Sequence, residues 1–487
     1  MQTKLFINGQ FVEAEDGETL PSLNPHDGSK LADVAMAGRA DIDKAVKAAQ
    51  AAFPKWSSMA AMERGRLLLK LADLIEERGD ELARLESLDT GHPLRDTKNL
   101  DVARTSATFR YFGGMADKYH GAVIPVERGF LNYMLRQPVG VVGQIVPWNF
   151  PLMFTSWKMG PALAAGNTIV MKPAELTPLS SLRMAELMAE VGFPDGVVNI
   201  VPGLGNVAGQ YIAEHPGISK VAFTGSTAVG RRIVQASAGN LKRVQVELGG
   251  KGANIVFGDA DITAAVNGSA FAIFHNQGQA CIAGSRLVLH ESIADEFLEK
   301  FTALATSIRL GNPLDLSTEM GPLTSAMHKD RVMGYCQIAR EQGGEILIGG
   351  KSPDRAELAA GYYVEPTVVQ AKPTDRVSQE EVFGPFVTVT TFKTDEEALE
   401  IANGTEYGLG GGLWTRDLQR AHLIASAMKS GMVWINCYKR FNPGSPFGGV
   451  GSSGYGREMG FEAMHEYTEV KSVWVNVDAN LPPFYPR

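Results

Sequence analysis

Cysteine is scarce in this chain: Cys281, Cys336 and Cys437 are the only thiols in 487 residues. Three thiols build no disulfide framework, and the expected compartment is a reducing one, the cytoplasm. An excess of positive charge is missing as well. A net charge of −8 argues against nucleic acid as a partner, since phosphate backbones need a clustered basic surface, but it leaves room for a local anion site. The segment Met1–Gly9 has neither the apolar core nor the small-residue cleavage site of a signal peptide. One long stretch, 137–157, carries no charge, yet Pro138, Pro147 and Pro151 interrupt it, with Gln144 and Asn149 inside. It reads as strand, kinked turn and helix start, so no membrane association is expected. There is no solenoid repeat, no low-complexity tract and no Gly-x-Ser-x-Gly elbow, which leaves a serine hydrolase unsupported. No metal is expected.

What is present is the composition of a soluble globular protein, 44% apolar and 21% charged. The chain is too long for one ordinary domain. Asp41 can cap a helix on Ile42, Val46, Ala49 and Phe53, and a second helix is expected from about Met62 to Leu88, ended by Gly91. From Val139 a strand–turn–helix pattern repeats. Apolar runs at 141–146, 168–171, 197–201, 220–223 and 243–246 alternate with helical stretches such as Ser180–Val191 and Ser226–Ala236. That alternation implies a parallel, doubly wound sheet whose strands all end on one edge. Past Gly250 a helix on Ile262, Val266, Ala270 and Ile273 leads toward Cys281. Strands at 286–289, 345–348, 387–391, 410–414 and 432–436 then suggest a second mainly parallel sheet.

The residues that follow the first five strands are the informative ones: Trp148-Asn149, Lys172, Gly203/Gly205, Thr224-Gly225-Ser226 and Glu247. Open α/β sheets bind ligands at that edge. Cys281 lies in a turn rich in Gly and Gln, where backbone N–H groups can approach a sulfur or an oxyanion. It reads either as a nucleophile or as the buried structural thiol that suits Cys336 and Cys437. His275, placed on the preceding helix, raises the alternative of a cysteine hydrolase. Glu247 reads as a base or as half of an ion pair with Lys251 or Arg243. Ser226 reads as a helix cap or as part of a phosphate site. Gly203–Gly209 comes near Gly-x-Gly-x-x-Gly but has the wrong spacing.

The segments around Asn149, Glu247-Leu248-Gly249-Gly250 and Gly278-Gln279-Ala280-Cys281 together resemble the aldehyde dehydrogenase family, from about Phe6 to Val475. The resemblance implies a Rossmann-like cofactor domain (1–118 and 140–248), a catalytic domain (249–466) and an arm (119–139 and 467–487) that builds a homodimer or homotetramer. It implies Cys281 as nucleophile, Glu247 as base and Asn149 as oxyanion donor, with Glu458 as a second acid; the alternative for Glu458 is a surface carboxylate paired with Arg457. The implied cofactor is NAD, held by Ile145, Pro147, Trp148, Lys172, Glu175, Gly205, Gly225, Ser226, Leu248, Glu381 and Phe383. A carboxylate at Glu175 would repel a ribose 2′-phosphate, which disfavours NADP. The passage implied for the small-molecule aldehyde is Phe150, Phe154, Trp157, His275, Phe441 and Phe447. Its aromatic character ranks an aromatic or medium-chain apolar aldehyde first. Lys439-Arg440 near the mouth, if not simply solvated, keeps a carboxylated semialdehyde as the alternative. A coenzyme-A-acylating relative typically loses the base, and a non-catalytic one would tolerate loss of the triad; all three residues are present.

Overall fold

The computed structural model describes residues 1–478 and resolves the alternating pattern into two large α/β domains. The first sheet runs Gln10–Val12, Leu5–Ile7, Val198–Ile200, Thr168–Lys172, Val141–Ile145, Lys220–Thr224, Arg243–Glu247, Gly454–Tyr455. Its five middle strands are parallel and are the five apolar runs of the sequence. Thr168–Lys172 and Lys220–Thr224 are buried along their whole length, as strands covered by helices on both faces must be. The chain lays Val141–Ile145 first, adds two strands to one side, and then returns to add two on the other. The direction therefore switches between Val141–Ile145 and Lys220–Thr224, and the crevice at such a point is where this architecture takes ligands.

Both outer strand groups are antiparallel additions. Gly454–Tyr455, two residues long, comes back from late in the chain to pair with Val246 and Glu247. Periodicity could not reveal so short an element.

The second sheet runs Glu345–Ile348, Thr367–Gln370, Phe386–Phe392, Arg286–His290, Ala253–Val256, Gly410–Trp414, Met432–Ile435, parallel except for Glu345–Ile348. The sequence reading lacked Ala253–Val256 and Thr367–Gln370, four-residue runs too short to separate from loop. The two segments that fitted neither sheet meet in a third, where Phe130–Pro138 pairs with Thr468–Asn476 and with Ala122–Ile124. The remainder of the expected arm, 479–487, lies outside the described residues. Among the described residues no helix is long and apolar enough to cross a membrane.

Two helix expectations change. The first helix spans Arg39–Ser58 with Gly38 at its cap; Asp41 sits one turn in and accepts from the Gly38 N–H at 3.0 Å. The expected helix 62–88 is two, Ala61–Glu77 and Gly79–Thr90, broken at Arg78. Gly91 ends the second in the left-handed conformation at φ 80°, as glycine does most cheaply.

Candidate active site

Two cavities meet at Cys281. The larger, about 310 Å³, opens at the carboxyl edge of the first sheet beside the switch point. Pro147, Trp148, Thr224–Ser226 and Leu248 line it from the first domain, and Cys281, Glu381 and Phe383 from the second. The smaller, about 20 Å³, is walled by Phe150, Phe154, Trp157, His275, Phe441 and Phe447, together with Arg104 and Lys439. Cys281 and Phe154 border both. All six residues expected in the substrate passage thus come together.

The backbone before Cys281 is tightly wound. The helix Ile262–Phe274 ends one residue before His275, so His275 is not on it. Asn276, Gln277 and Gly278 then follow consecutively in the left-handed region, at φ 53°, 55° and 72°. That conformation costs roughly 1–2 kcal/mol for each non-glycine residue, and side chains hold it in place. Gln277 Nε2 donates to Gly91 O at 2.9 Å and Pro322 O at 2.7 Å, and Gln279 Oε1 accepts from Thr324 N at 3.0 Å. Glycine is required at 278, because a Cβ there would lie 1.9 Å from Gly384 O. Asn149 is locked to the same turn. Its Nδ2 donates to Gln279 O at 2.8 Å and its carbonyl accepts from Asn276 Nδ2 at 2.9 Å. The second amide hydrogen of Asn149 is left for another acceptor.

Burial pushes the Cys281 thiol up, and Glu381 and Glu247 push it in the same direction; its own backbone N–H and Lys439 oppose them. The resting sulfur is therefore a thiol. Neither ring nitrogen of His275 has a hydrogen-bond partner, so no imidazole activates it. Burial, with Lys439 and His92 adding to it, holds His275 well below the usual histidine range, and it is neutral.

Glu247 ends its strand 1% exposed, with no partner for either carboxyl oxygen. The ion pairs considered from sequence do not form. Arg243 binds Thr468 O and approaches Glu469, and Lys251 Nζ is itself unpartnered. Burial, and next the neighbouring Glu458, raise the Glu247 carboxyl well above the carboxylate range. Glu247 does not line either cavity; Leu248 and Gly249, the next two residues, do. Gly448 makes room behind it, since a Cβ there would lie 2.7 Å from Glu247 Oε1. Glu458 is no surface carboxylate. It is fully buried and paired with Lys158 of the helix Pro151–Ala165, while Arg457 turns to Gly449 O and Gly456 O.

The larger cavity has the donors and shape a dinucleotide needs. Ser226 caps the helix Thr227–Ser237, accepting from Val229 N at 3.4 Å, and faces the cavity at that helix's positive end. Both sequence readings of Ser226 are compatible. Beside it the buried Thr224 Oγ1 has no partner among the described residues. Lys172 and Glu175 pair at 3.0 Å just beyond the cavity wall, with Lys172 also on Gly203 O at 2.7 Å. Burial would raise Glu175, but Lys172 and the N–H of Gly205 outweigh it and hold the group ionised. Ile145 ends its strand behind this edge. Glu381 accepts from Gly250 N at 2.9 Å, and burial raises it to about 7. Phe383, a non-glycine residue at φ 64°, stands nearly perpendicular to Trp148 at 5.3 Å.

Sequence reasoning missed Arg104, Lys158, His92 and His328, and it left Lys439-Arg440 open between a solvated pair and a charge at the mouth. Arg440 is exposed, but Lys439 is 3% exposed and faces the smaller cavity, on a backbone held at φ 52°. No local pattern marks Arg104 or Lys158, because each sits inside an ordinary helix and acquires its neighbours only on folding.

The fold and the position of Cys281 define a two-domain α/β protein with a thiol facing a cleft at the sheet's carboxyl edge. The chain belongs to the aldehyde dehydrogenase family, whose model matches residues 11–473. It is 48% identical to the human mitochondrial aldehyde dehydrogenase over 483 residues, 97% of this chain and 92% of that protein. To human retinal dehydrogenase 2 it is 46% identical over 481 residues, 98% of this chain and 92% of that one. Among solved structures, PnpE from Pseudomonas sp. WBC-3 is similar at 70% identity and a TM-score of 0.99 over the whole of both chains; PnpE has also been crystallised with nicotinamide adenine dinucleotide. Betaine aldehyde dehydrogenase from Staphylococcus aureus, in complex with NAD+, is similar at 39% identity and a TM-score of 0.98, covering all of this chain and 97% of that one. Membership makes this protein an oxidoreductase acting on aldehydes.

Proposed function

We propose that the protein oxidises an aldehyde to the carboxylic acid with NAD, through a thiohemiacetal and then a thioester on Cys281. The observation that carries the reading is the position of Cys281 at the junction of the two cavities, where a sulfur can hold a carbonyl carbon against a nicotinamide. The thiol of Cys281 gives up its proton to water in the cleft, and the sulfur adds to the aldehyde carbon. The free N–H of Asn149 and the Cys281 backbone N–H stabilise the oxyanion, and one such donor is typically worth about 3–4 kcal/mol in the transition state. When bound, the nicotinamide supplies the acceptor for the hydride that leaves this carbon. Glu247, turned from its buried position toward the sulfur, takes a proton from water, which attacks the thioester and releases the acid and the Cys281 thiol. A raised carboxyl suits a base that must work near neutrality. Glu458 and Lys158 stand behind Glu247 as the route by which that proton leaves.

The ionised Glu175 supports NAD over NADP, since it would meet a ribose 2′-phosphate as a like charge. Reduced nicotinamide followed with a panel of aldehydes tests the function. Faster turnover with NADP than with NAD at equal low concentration would refute the cofactor preference. Requirement for coenzyme A would replace hydrolysis by acyl transfer. The antiparallel sheet of Phe130–Pro138 and Thr468–Asn476 supports a homo-oligomer, because Trp474, Val470 and Val475 are exposed on it.

A further inference from the structure

The smaller cavity is not uniformly apolar. Beyond the aromatic walls it carries two cationic side chains and no acidic one. Lys439 makes one long hydrogen bond, 3.5 Å to Phe271 O, and lies 5.9 Å from the Phe271 ring centre; among the described residues it forms no ion pair. Arg104 has no ion pair either; its guanidinium lies over the Phe441 ring at 4.8 Å. The acid whose charge acts on Arg104 is Asp101, already engaged by His92 Nδ1 at 2.7 Å. His275, enclosed in the same wall, has both ring nitrogens unsatisfied. Buried cations are ordinarily paired, and unpaired buried donors ordinarily find an acceptor. Here three converge on a space open to Cys281, and no acidic side chain lines it.

We infer that the natural substrate is an oxo acid, an aldehyde whose far end carries a carboxylate received by Arg104 and Lys439. The inference rests on the aldehyde oxidation proposed above and specifies its substrate. Phe150, Phe154, Trp157 and Phe447 line the hydrocarbon between the two ends. Cys281, Arg104 and Lys439 line the same small cavity, so the cationic end is near the sulfur and the chain is short. Burial lowers Lys439 to about 7 in the free protein, and an anion beside it restores the ammonium form. Oxidation at Cys281 then yields a dicarboxylate, the aldehyde carbon losing hydride and gaining the oxygen of water. The same positive surroundings disfavour a metal cation at His92, Asp96 and His275, whose ligand atoms lie within 4.8 Å of one another.

The test uses straight-chain aldehydes of four, five and six carbons in matched pairs, one ending in methyl and one in carboxylate, with the full-length enzyme and NAD. For at least one length kcat/KM for the carboxylated member should exceed that for its partner by roughly tenfold or more, the worth of one charge-assisted hydrogen bond. Arg104→Met and Lys439→Met should each cut that ratio by roughly tenfold, through KM rather than kcat, and Arg104→Lys should restore part of it. Independently of turnover, a dicarboxylate of the favoured length should protect Cys281 of the unmodified protein from iodoacetamide, and the corresponding diol should not. A ratio at or below one at every length, or a ratio indifferent to both methionine variants, overturns the inference. Oxidation of the methyl-ended aldehydes alone would sink the oxo-acid reading and leave the aldehyde oxidation standing; no NAD reduction with any aldehyde would sink both.

Discussion

Replacing Glu247 by glutamine separates the two halves of the proposed reaction. The carboxyl is 1% exposed and neither oxygen has a partner, so an isosteric amide breaks no hydrogen bond within the chain. Formation of the thioester does not use this group and should proceed. Hydrolysis does use it, and a positioned general base is worth roughly 10²–10⁴ in rate. The expected result in a stopped-flow experiment is a burst of reduced nicotinamide approaching one per Cys281, followed by a steady state slower by roughly 10²–10⁴. The fold itself should not suffer, and linkage gives the sign. Burial raises the native Glu247 carboxyl well above its ordinary value of 4.5, so the native state binds more protons than the unfolded one. Native stability is then full below the unfolded value and falls as pH rises above it. Glutamine removes that loss, so the difference in Tm, variant minus wild type, should become more positive from pH 5 to pH 8. A variant with wild-type steady-state turnover, or one lacking the burst while remaining folded, refutes the role.

Three further outcomes are expected. Gly448→Ala places a methyl 2.7 Å from Glu247 Oε1 and against Gly456 O, so it should slow hydrolysis more than the burst; equal slowing of both would count against that packing. Asn149→Ala should lower the burst rate by roughly 10²–10³, the cost of one oxyanion donor, and a burst at wild-type rate would remove Asn149 from the mechanism. Because burial holds the Cys281 thiol protonated, its alkylation by iodoacetamide in the cofactor-free protein should rise by about tenfold per pH unit from pH 7 to 9, as thiolate fraction does below a raised pKa; a plateau by pH 8 would contradict the buried, protonated thiol.

Much of the architecture was legible because it rests on local rules. The five parallel strands of the first sheet announce themselves as short apolar runs between helical stretches, and their carboxyl ends gather Trp148, Thr224 and Glu247 on one edge by topology alone. Gly91 and Gly278 mark left-handed turns in a way only backbone sterics dictate. The failures have equally local causes. Leu5–Ile7, Ala253–Val256 and Gly454–Tyr455 are too short to carry a period, and the break at Arg78 is marked only by the lone Gly79, which a helical pattern tolerates.

Charge state and company belong to the tertiary structure. Nothing near Lys439 in the chain distinguishes it from Arg440, yet one is enclosed and the other solvated. The partner of Glu458 is Lys158, far away along the chain, and Glu247 has no partner among the described residues. The sequence alone determined which chemical groups the protein owns and which edge of the sheet they approach, because alternation and chain direction are local properties. Only folding decided which of those groups lie bare in low dielectric and which are paired, because desolvation and Coulomb energy depend on distances through space, to which order along the chain is blind.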